Sequence, residues 1–167
     1  MLIDAVKFLM FPAIMAFAAS TDLFTMRISN YVPIVLAAGF FVLAALEGVA
    51  AADIGIHLAV GFAVLAVCFV FFARGWIGGG DAKLAAATAL WFGWPQLYEY
   101  FLYASLLGGA LTLLLLEFRR RSLPSPFAGQ AWLVRLHEPG GGVPYGIALA
   151  AAALLVYPST PWMQGAM

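Results

Sequence analysis

Long apolar stretches alternate with short polar connections along almost the whole chain. Most of the stretches approach the roughly 20 residues that a helix needs to cross the hydrocarbon core of a bilayer. The pattern predicts an all-α, polytopic membrane protein with about six transmembrane helices, over residues 5–20, 31–47, 54–73, 82–94, 100–118 and 143–158. Because the connections are short, we expect residues 1–167 to form a single integral membrane domain.

The composition supports this assignment and limits the kinds of binding partner that we expect. Hydrophobic residues make up 65% of the chain and charged residues only 10%, which is far from the balance of a soluble domain. The formal net charge is zero and no basic stripe is interleaved with aromatic residues, so nucleic acid is not an expected partner. The lipid bilayer is the first partner that the sequence predicts.

The basic residues predict the orientation. With six spans, every Lys and Arg except Lys7 falls on one face, which the positive-inside rule makes cytoplasmic. The same face carries two acidic residues, Asp22 and Asp81. Both termini are then expected on the outer face.

These two acids lie at matching ends of apolar stretches. Asp22 ends the first stretch, and Asp81 follows Gly78-Gly79-Gly80 just before the fourth. Each aspartate alone has an ordinary explanation as a helix cap. Glycines before a carboxylate, however, also let a substrate backbone approach closely. Ionisable residues at membrane depth are costly and mark functional sites.

Taken together, the acids suggest aspartyl chemistry. Two carboxylates held close cannot both ionise easily, so the pair shares a proton and can polarise water while protonating a carbonyl. Lys83 is two residues from Asp81, an offset that does not share a helix face, so it is predicted to contact headgroups or substrate. The fourth segment is short for a span, which suggests a helix that starts inside the protein with access to water.

Several other residues are predicted to be structural. His57 is expected at the outer interface, Cys68 as a packed thiol, and residues 127–137 as an interfacial helix. An aromatic belt is predicted around the outer loop from Trp91, Trp94, Tyr98, Tyr100 and Tyr103.

The sequence lacks the residues that metalloproteases and serine proteases need. His137-Glu138 is followed at once by Pro139 and has no second histidine at the H-E-x-x-H spacing, and no serine lies in a nucleophile setting with a plausible base. Two distant histidines and one cysteine do not make a metal cluster. We therefore predict no metal site and no cofactor.

The motifs resemble those of a known family, the prepilin peptidases, which are membrane aspartyl proteases. Its G-x-G-D-x-K-L signature is similar to the run Gly78-Gly79-Gly80-Asp81-Ala82-Lys83-Leu84, and Asp22 followed by Ile28-Ser29-Asn30 resembles the family's first aspartate with a downstream I-P-N. Serine here replaces the family's proline. Pro144-Tyr145-Gly146 also resembles the family at the opening of the last span.

The resemblance implies an aspartic endopeptidase without cofactor in the bacterial inner membrane, with its active site facing the cytoplasm. Asp22 and Asp81 are the expected catalytic residues, and the expected substrate contacts are Gly78, Gly79, Gly80, Asn30 and Lys83. The substrate would be a prepilin, with a leader peptide followed by an apolar helix, and other pilus-assembly components are further candidate partners.

The chain length suggests the short, peptidase-only form associated with Flp or tight-adherence pili, without the methyltransferase domain of larger members. One alternative from a different class remains: a non-enzymatic membrane component of a pilus or secretion system, either an ion-conducting protein or a scaffold. The pairing of the two acids on one face favours the peptidase, because a scaffold does not need it.

Overall fold

All regular structure in the described part of the chain is helical. The structure is a computed structural model, and it describes residues 2–123, 127 and 129–164. The helices are α1 Leu2–Thr25, α2 Tyr31–Glu47, α3 Ala51–Ala73, α4 Gly79–Phe92, α5 Leu97–Arg120, α6 Ala131–His137, α7 Tyr145–Val156 and α8 Pro161–Gln164. A short 3-10 turn, Tyr157–Ser159, joins the last two helices.

Among the described residues, four segments are long and apolar enough to cross a membrane: Val6–Thr25, Ala51–Ala73, Leu97–Arg120 and Tyr145–Gln164. Helix α2 has 17 residues and α4 has 14, so both are shorter than a usual span. The prediction of an all-α membrane protein is confirmed. The count of six spans stays a prediction, and the fourth segment begins at Gly79, three residues before the predicted start.

Helix α4 lies in the centre of the bundle and packs against α2, α3 and α7. Ten of its 14 residues are buried, and five of those are alanines, whose small side chains let neighbouring backbones approach closely. The indole N–H of Trp91 donates to the carbonyl oxygen of Leu36 over 2.8 Å, and that of Trp162 donates to Trp91 over 2.7 Å. Helix α4 is therefore held rigidly in place.

The predicted aromatic belt is only partly present. Trp94 and Tyr98 are exposed, as a belt requires, but Trp91 and Tyr100 are completely buried. The ring of Trp91 packs against Phe11 at a centroid distance of 5.1 Å. The prediction was wrong for the buried pair because sequence position does not show which side of a helix faces its neighbours.

His57 is also more buried than predicted. Its Nδ1 atom lies 2.7 Å from the carbonyl oxygen of Leu90, and its ring lies 5.3 Å from that of Phe40. Gly93 adopts a left-handed conformation beside it, and a Cβ there would lie 2.9 Å from His57 Cε1. His57 therefore joins α3 to the end of α4 inside the bundle and is not an interfacial residue.

The connection between α5 and α7 folds back onto the end of α1. Within it, α6 occupies part of the predicted interfacial helix, and the guanidinium of Arg135 donates to the carbonyl oxygen of Phe24 over 2.8 Å. Arg119 donates to the carbonyl oxygens of Leu136 and Gly142. These bonds fix the connection around the end of α1 that carries Asp22.

Candidate active site

Asp22 lies in the last turn of α1 and is only 4% exposed. The helix ends at Thr25, and the next residue, Met26, has a φ of 56° and donates its N–H to the carbonyl oxygen of Asp22 over 2.7 Å. A carboxylate at this end of a helix is disfavoured by the negative end of the helix dipole. Burial and dipole both oppose the charge, so stability does not explain an aspartate at this position.

Asp81 lies in the first turn of α4 and is partly buried. The residue that caps the helix is Gly78, whose carbonyl oxygen accepts the N–H of Ala82 over 3.0 Å. Gly78 therefore takes the N-cap position that the sequence offered for Asp81, while the carboxylate of Asp81 interacts with the N–H of Gly78. Asp81 is the third residue of the helix, and it lines the opening beside the end of α1.

One pocket contains both acids. It has a volume of about 270 Å³ and is lined by the residues that follow Asp22 and by the glycine run: Asp22, Met26, Arg27, Ile28, Gly78, Gly79, Gly80 and Asp81. Arg27 lines the same pocket, but no ion pair joins it to either acid in the part of the chain that the structure describes. The structure thus brings together five of the seven predicted site residues.

The glycines are required by close packing inside the protein. A Cβ on Gly78 would lie 2.8 Å from Asp81 Oδ2, and a Cβ on Gly80 would lie 3.0 Å from the Cβ of Ile28. A side chain at Gly78 would push the Asp81 carboxylate aside, and one at Gly80 would press on Ile28, so either would change the shape of the pocket. The glycine run therefore determines the shape of the pocket, in addition to any role in the approach of a substrate.

Gly146 is a site residue whose contact with Asp22 the sequence did not reveal. Its backbone N–H, at the start of α7, donates to Asp22 Oδ2 over 2.7 Å. A Cβ on Gly146 would lie 2.8 Å from the same oxygen and 2.6 Å from Ile28 Cδ1. In the sequence, Pro144-Tyr145-Gly146 marked the start of the last span. It did not show that this start lies against Asp22.

The environment of Asp81 favours its neutral form. Burial, and to a smaller extent the nearby negative charge of Asp22, together raise the pKa of Asp81 to about 6, although the N–H of Gly78 acts in the opposite direction. Asp81 thus changes protonation close to neutral pH, which is the range that a general acid or base needs.

Asn30 and Lys83, the other two predicted contacts, lie next to the pocket and not in it. The amine of Lys83 donates to Oδ1 of Asn30 over 2.8 Å, joining the start of α2 to α4. Both residues line a larger apolar groove of about 560 Å³ between α2, α3 and α4. The predicted set therefore divides into an acidic pocket and a polar pair beside it.

The fold and the pocket define a helical membrane protein with two acids at one site. The chain belongs to the type IV leader peptidase family, Peptidase_A24, which it matches over residues 9–113. A prepilin leader peptidase/N-methyltransferase from Dickeya chrysanthemi is 44% identical over 57 residues, which are 34% of this chain and 20% of that relative. No solved structure matches. The predicted family is confirmed, while the aligned part spans only a fifth of the relative.

Proposed function

We propose that the protein is a membrane-embedded aspartic endopeptidase that removes the leader peptide from type IV prepilins. The observation that carries this proposal is the single pocket that contains Asp22 and Asp81, acids separated by 58 residues of sequence. Family membership supports the peptidase activity. The two acids supply its chemistry without a metal or cofactor.

Asp22 acts as the base in this proposal. Its Oδ2 atom accepts the N–H of Gly146, a bond that stabilises negative charge on the carboxylate. The ionised carboxylate takes a proton from a water molecule in the pocket as the water attacks the scissile carbonyl carbon. Gly146 keeps the carboxylate in one orientation during this step.

Asp81 acts as the acid. Its raised pKa keeps a proton available near neutral pH, and it donates that proton to the carbonyl oxygen as the tetrahedral intermediate forms. The proton that Asp22 has taken from water then goes to the leaving amine when the C–N bond breaks. As the C–N bond breaks and the C=O bond re-forms, one hydroxyl of the intermediate returns its proton to Asp81, so both aspartates regain their starting states and one water molecule is consumed.

The finer assignments follow from the sequence. We place the protein in the bacterial inner membrane with the pocket facing the cytoplasm, where most of its basic residues are predicted. The bond from Arg135 to Phe24 supports this placement, because it brings the arginine-containing connection to the Asp22 end of α1. The Flp-type substrate rests on the resemblance to the short branch of the family.

Cleavage of a candidate prepilin by the purified protein tests the proposal. The full precursor, with its leader and apolar helix, is incubated with wild-type protein in detergent, and the products are identified by mass spectrometry. We expect one shortened pilin cut after a glycine at the junction between leader and apolar helix. Parallel samples of Asp22→Asn and Asp81→Asn should leave the precursor intact. An uncut precursor with folded wild-type protein would contradict the proposal.

A further inference from the structure

An apolar groove with a polar mouth lies beside the catalytic pocket. It runs between α2, α3 and α4, and among the described residues that line it only Asn30 and Lys83 are polar. These two residues are hydrogen-bonded to each other, so the polar mouth is formed by one connected pair. The rest of the groove offers no polar side chain to a ligand, which indicates an apolar occupant.

The groove continues the catalytic pocket along two chain segments. Ahead of α2, Ile28 lines the pocket and Asn30 lines the groove; on α4, Asp81 lines the pocket and Lys83 lines the groove. The two cavities are thus separated by only one residue on each side, Ser29 before α2 and Ala82 on α4. A peptide held at the acids lies directly beside the mouth of the groove.

Small residues from all three helices line the groove. They are Ala37 of α2, Gly61 of α3, and Ala86 and Ala87 of α4. Gly61, Ala86 and Ala87 are buried in the floor of the groove and Ala37 is half-buried at its side. Small residues in such a floor let a second helix approach closely, whereas a lipid chain needs no such approach. From Lys83 to Leu90 the groove follows α4 for about 10 Å, or two helical turns. This length and lining suit one face of a single apolar helix.

We propose that this groove receives the apolar helix of the substrate, the segment that follows the cleavage point. The inference rests on the proposed function, because it assumes that a precursor with such a helix is cut at the two acids. The Lys83 ammonium has three N–H donors, of which Asn30 uses one. The others donate to backbone carbonyl oxygens of the extended residues ahead of the bound helix, which places the junction at the pocket.

Two neighbouring alanines of α2 provide a matched kinetic test. Ala37 lines the groove, and Ala38 is exposed on another side of the same helix. In Ala37→Leu the larger side chain fills the groove, so we expect the ratio of kcat/KM for the full precursor to that for a peptide without the apolar helix to fall about tenfold. Ala38→Leu should keep the wild-type ratio. Partial unfolding lowers both rates and leaves the ratio unchanged.

Photocrosslinking tests the same groove without catalysis. Phe62 lies in the groove wall and is 66% exposed, while Phe69, two turns further along α3, lies outside the groove and is 62% exposed. Each is replaced in turn by p-benzoylphenylalanine in the Asp81→Asn background and illuminated with the precursor in lipid nanodiscs. We expect capture of the precursor at position 62 and not at position 69.

The outcomes separate this inference from the proposed function. An unchanged ratio in Ala37→Leu, equal capture at both positions, or capture of lipid or of a second copy of the chain at position 62 would overturn the groove assignment. Failure of the wild-type protein to cut the precursor would contradict the proposed function, whereas crosslinking at position 62 would still report whether the helix binds.

Discussion

The two ends of α1 bury charge in opposite ways. At one end Lys7 forms an ion pair with Glu47 of α2, with 2.6 Å between Nζ and Oε2. At the other end, about 22 Å away along the helix, Asp22 shares a pocket with Asp81, a group of the same charge. Neither acid has a cationic partner among the described ion pairs.

The comparison distinguishes a structural charge from a functional one. In a buried pair of opposite charges each group compensates the charge of the other, and removing one partner leaves the other charge uncompensated. Two buried like charges destabilise each other, so the fold gains nothing from keeping both ionised. The Lys7–Glu47 pair therefore stabilises the packing of α1 against α2, while the two acids gain no such stabilisation from each other and are the residues for which we propose a catalytic role.

The largest expected effect comes from removing either acid. Asp22→Asn and Asp81→Asn keep the shape of the side chain but cannot exchange the proton, so each should lower kcat/KM for the precursor on the order of 10³-fold. Quantitative mass spectrometry of the product measures the loss. Near wild-type cleavage by either variant would show that the residue is not catalytic, and the acids could then no longer be contrasted with the structural ion pair as a functional pair.

Gly146 tests whether Asp22 must be held in place. In Gly146→Ala the new Cβ would lie 2.8 Å from Asp22 Oδ2, so the carboxylate must shift, and we expect kcat to fall roughly 10-fold to 100-fold. Gly109→Ala is the control, because a Cβ at that position meets nothing within 4 Å. Equal rates for the two variants would show that the bond from Gly146 does not matter for catalysis.

The pH dependence of kcat/KM tests whether Asp81 is the residue that donates the proton. If Asp81 donates the proton, kcat/KM is highest while Asp81 is protonated and falls as the pH rises through its pKa of about 6. The fall should approach tenfold per pH unit, since kcat/KM reports the groups of the free enzyme. A kcat/KM that rises through the same range would give Asp81 the role of base.

The ion pair at the other end should affect stability and not chemistry. Lys7→Met leaves Glu47 unpaired in a mostly buried position, so we expect the free energy of unfolding to fall by about 1–3 kcal/mol. Denaturation in detergent measures this loss, and the cleavage rate per folded molecule should stay at the wild-type value. Adding Glu47→Gln should recover part of the stability. A catalytic defect in folded Lys7→Met would contradict the claim that the charges at this end of α1 serve only stability.

Much of this molecule could be predicted from its sequence because two signals are strong. Continuous apolar runs predict membrane helices directly, and acids are rare enough in such a chain that Asp22 and Asp81 stand out. The family motif around Gly78–Asp81 added the expected chemistry. The glycines themselves were interpreted as room for substrate, although two of them also lie in close contact with Ile28 and Asp81 inside the protein.

The remaining features depend on which side of a helix faces its neighbours. Hydropathy does not show this, because the lipid-facing and protein-facing sides of a membrane helix are both apolar. Trp91 and His57 were therefore placed at the interface, yet both are buried in the bundle. The contact between Gly146 and Asp22 joins residues 124 positions apart, and only the packing of α7 against α1 brings them together.

The most direct test of the central claim measures cleavage and thermal stability on the same sample of Asp81→Asn at about pH 7.5. The pKa of Asp81 is raised from 3.8 to about 6, so the destabilising effect of its charge develops between these pH values and is fully present at pH 7.5. The account predicts that the variant loses cleavage of the precursor while its melting temperature equals or exceeds that of the wild type. Retained cleavage, or a melting temperature several degrees lower, would show that Asp81 is a structural residue and contradict the account.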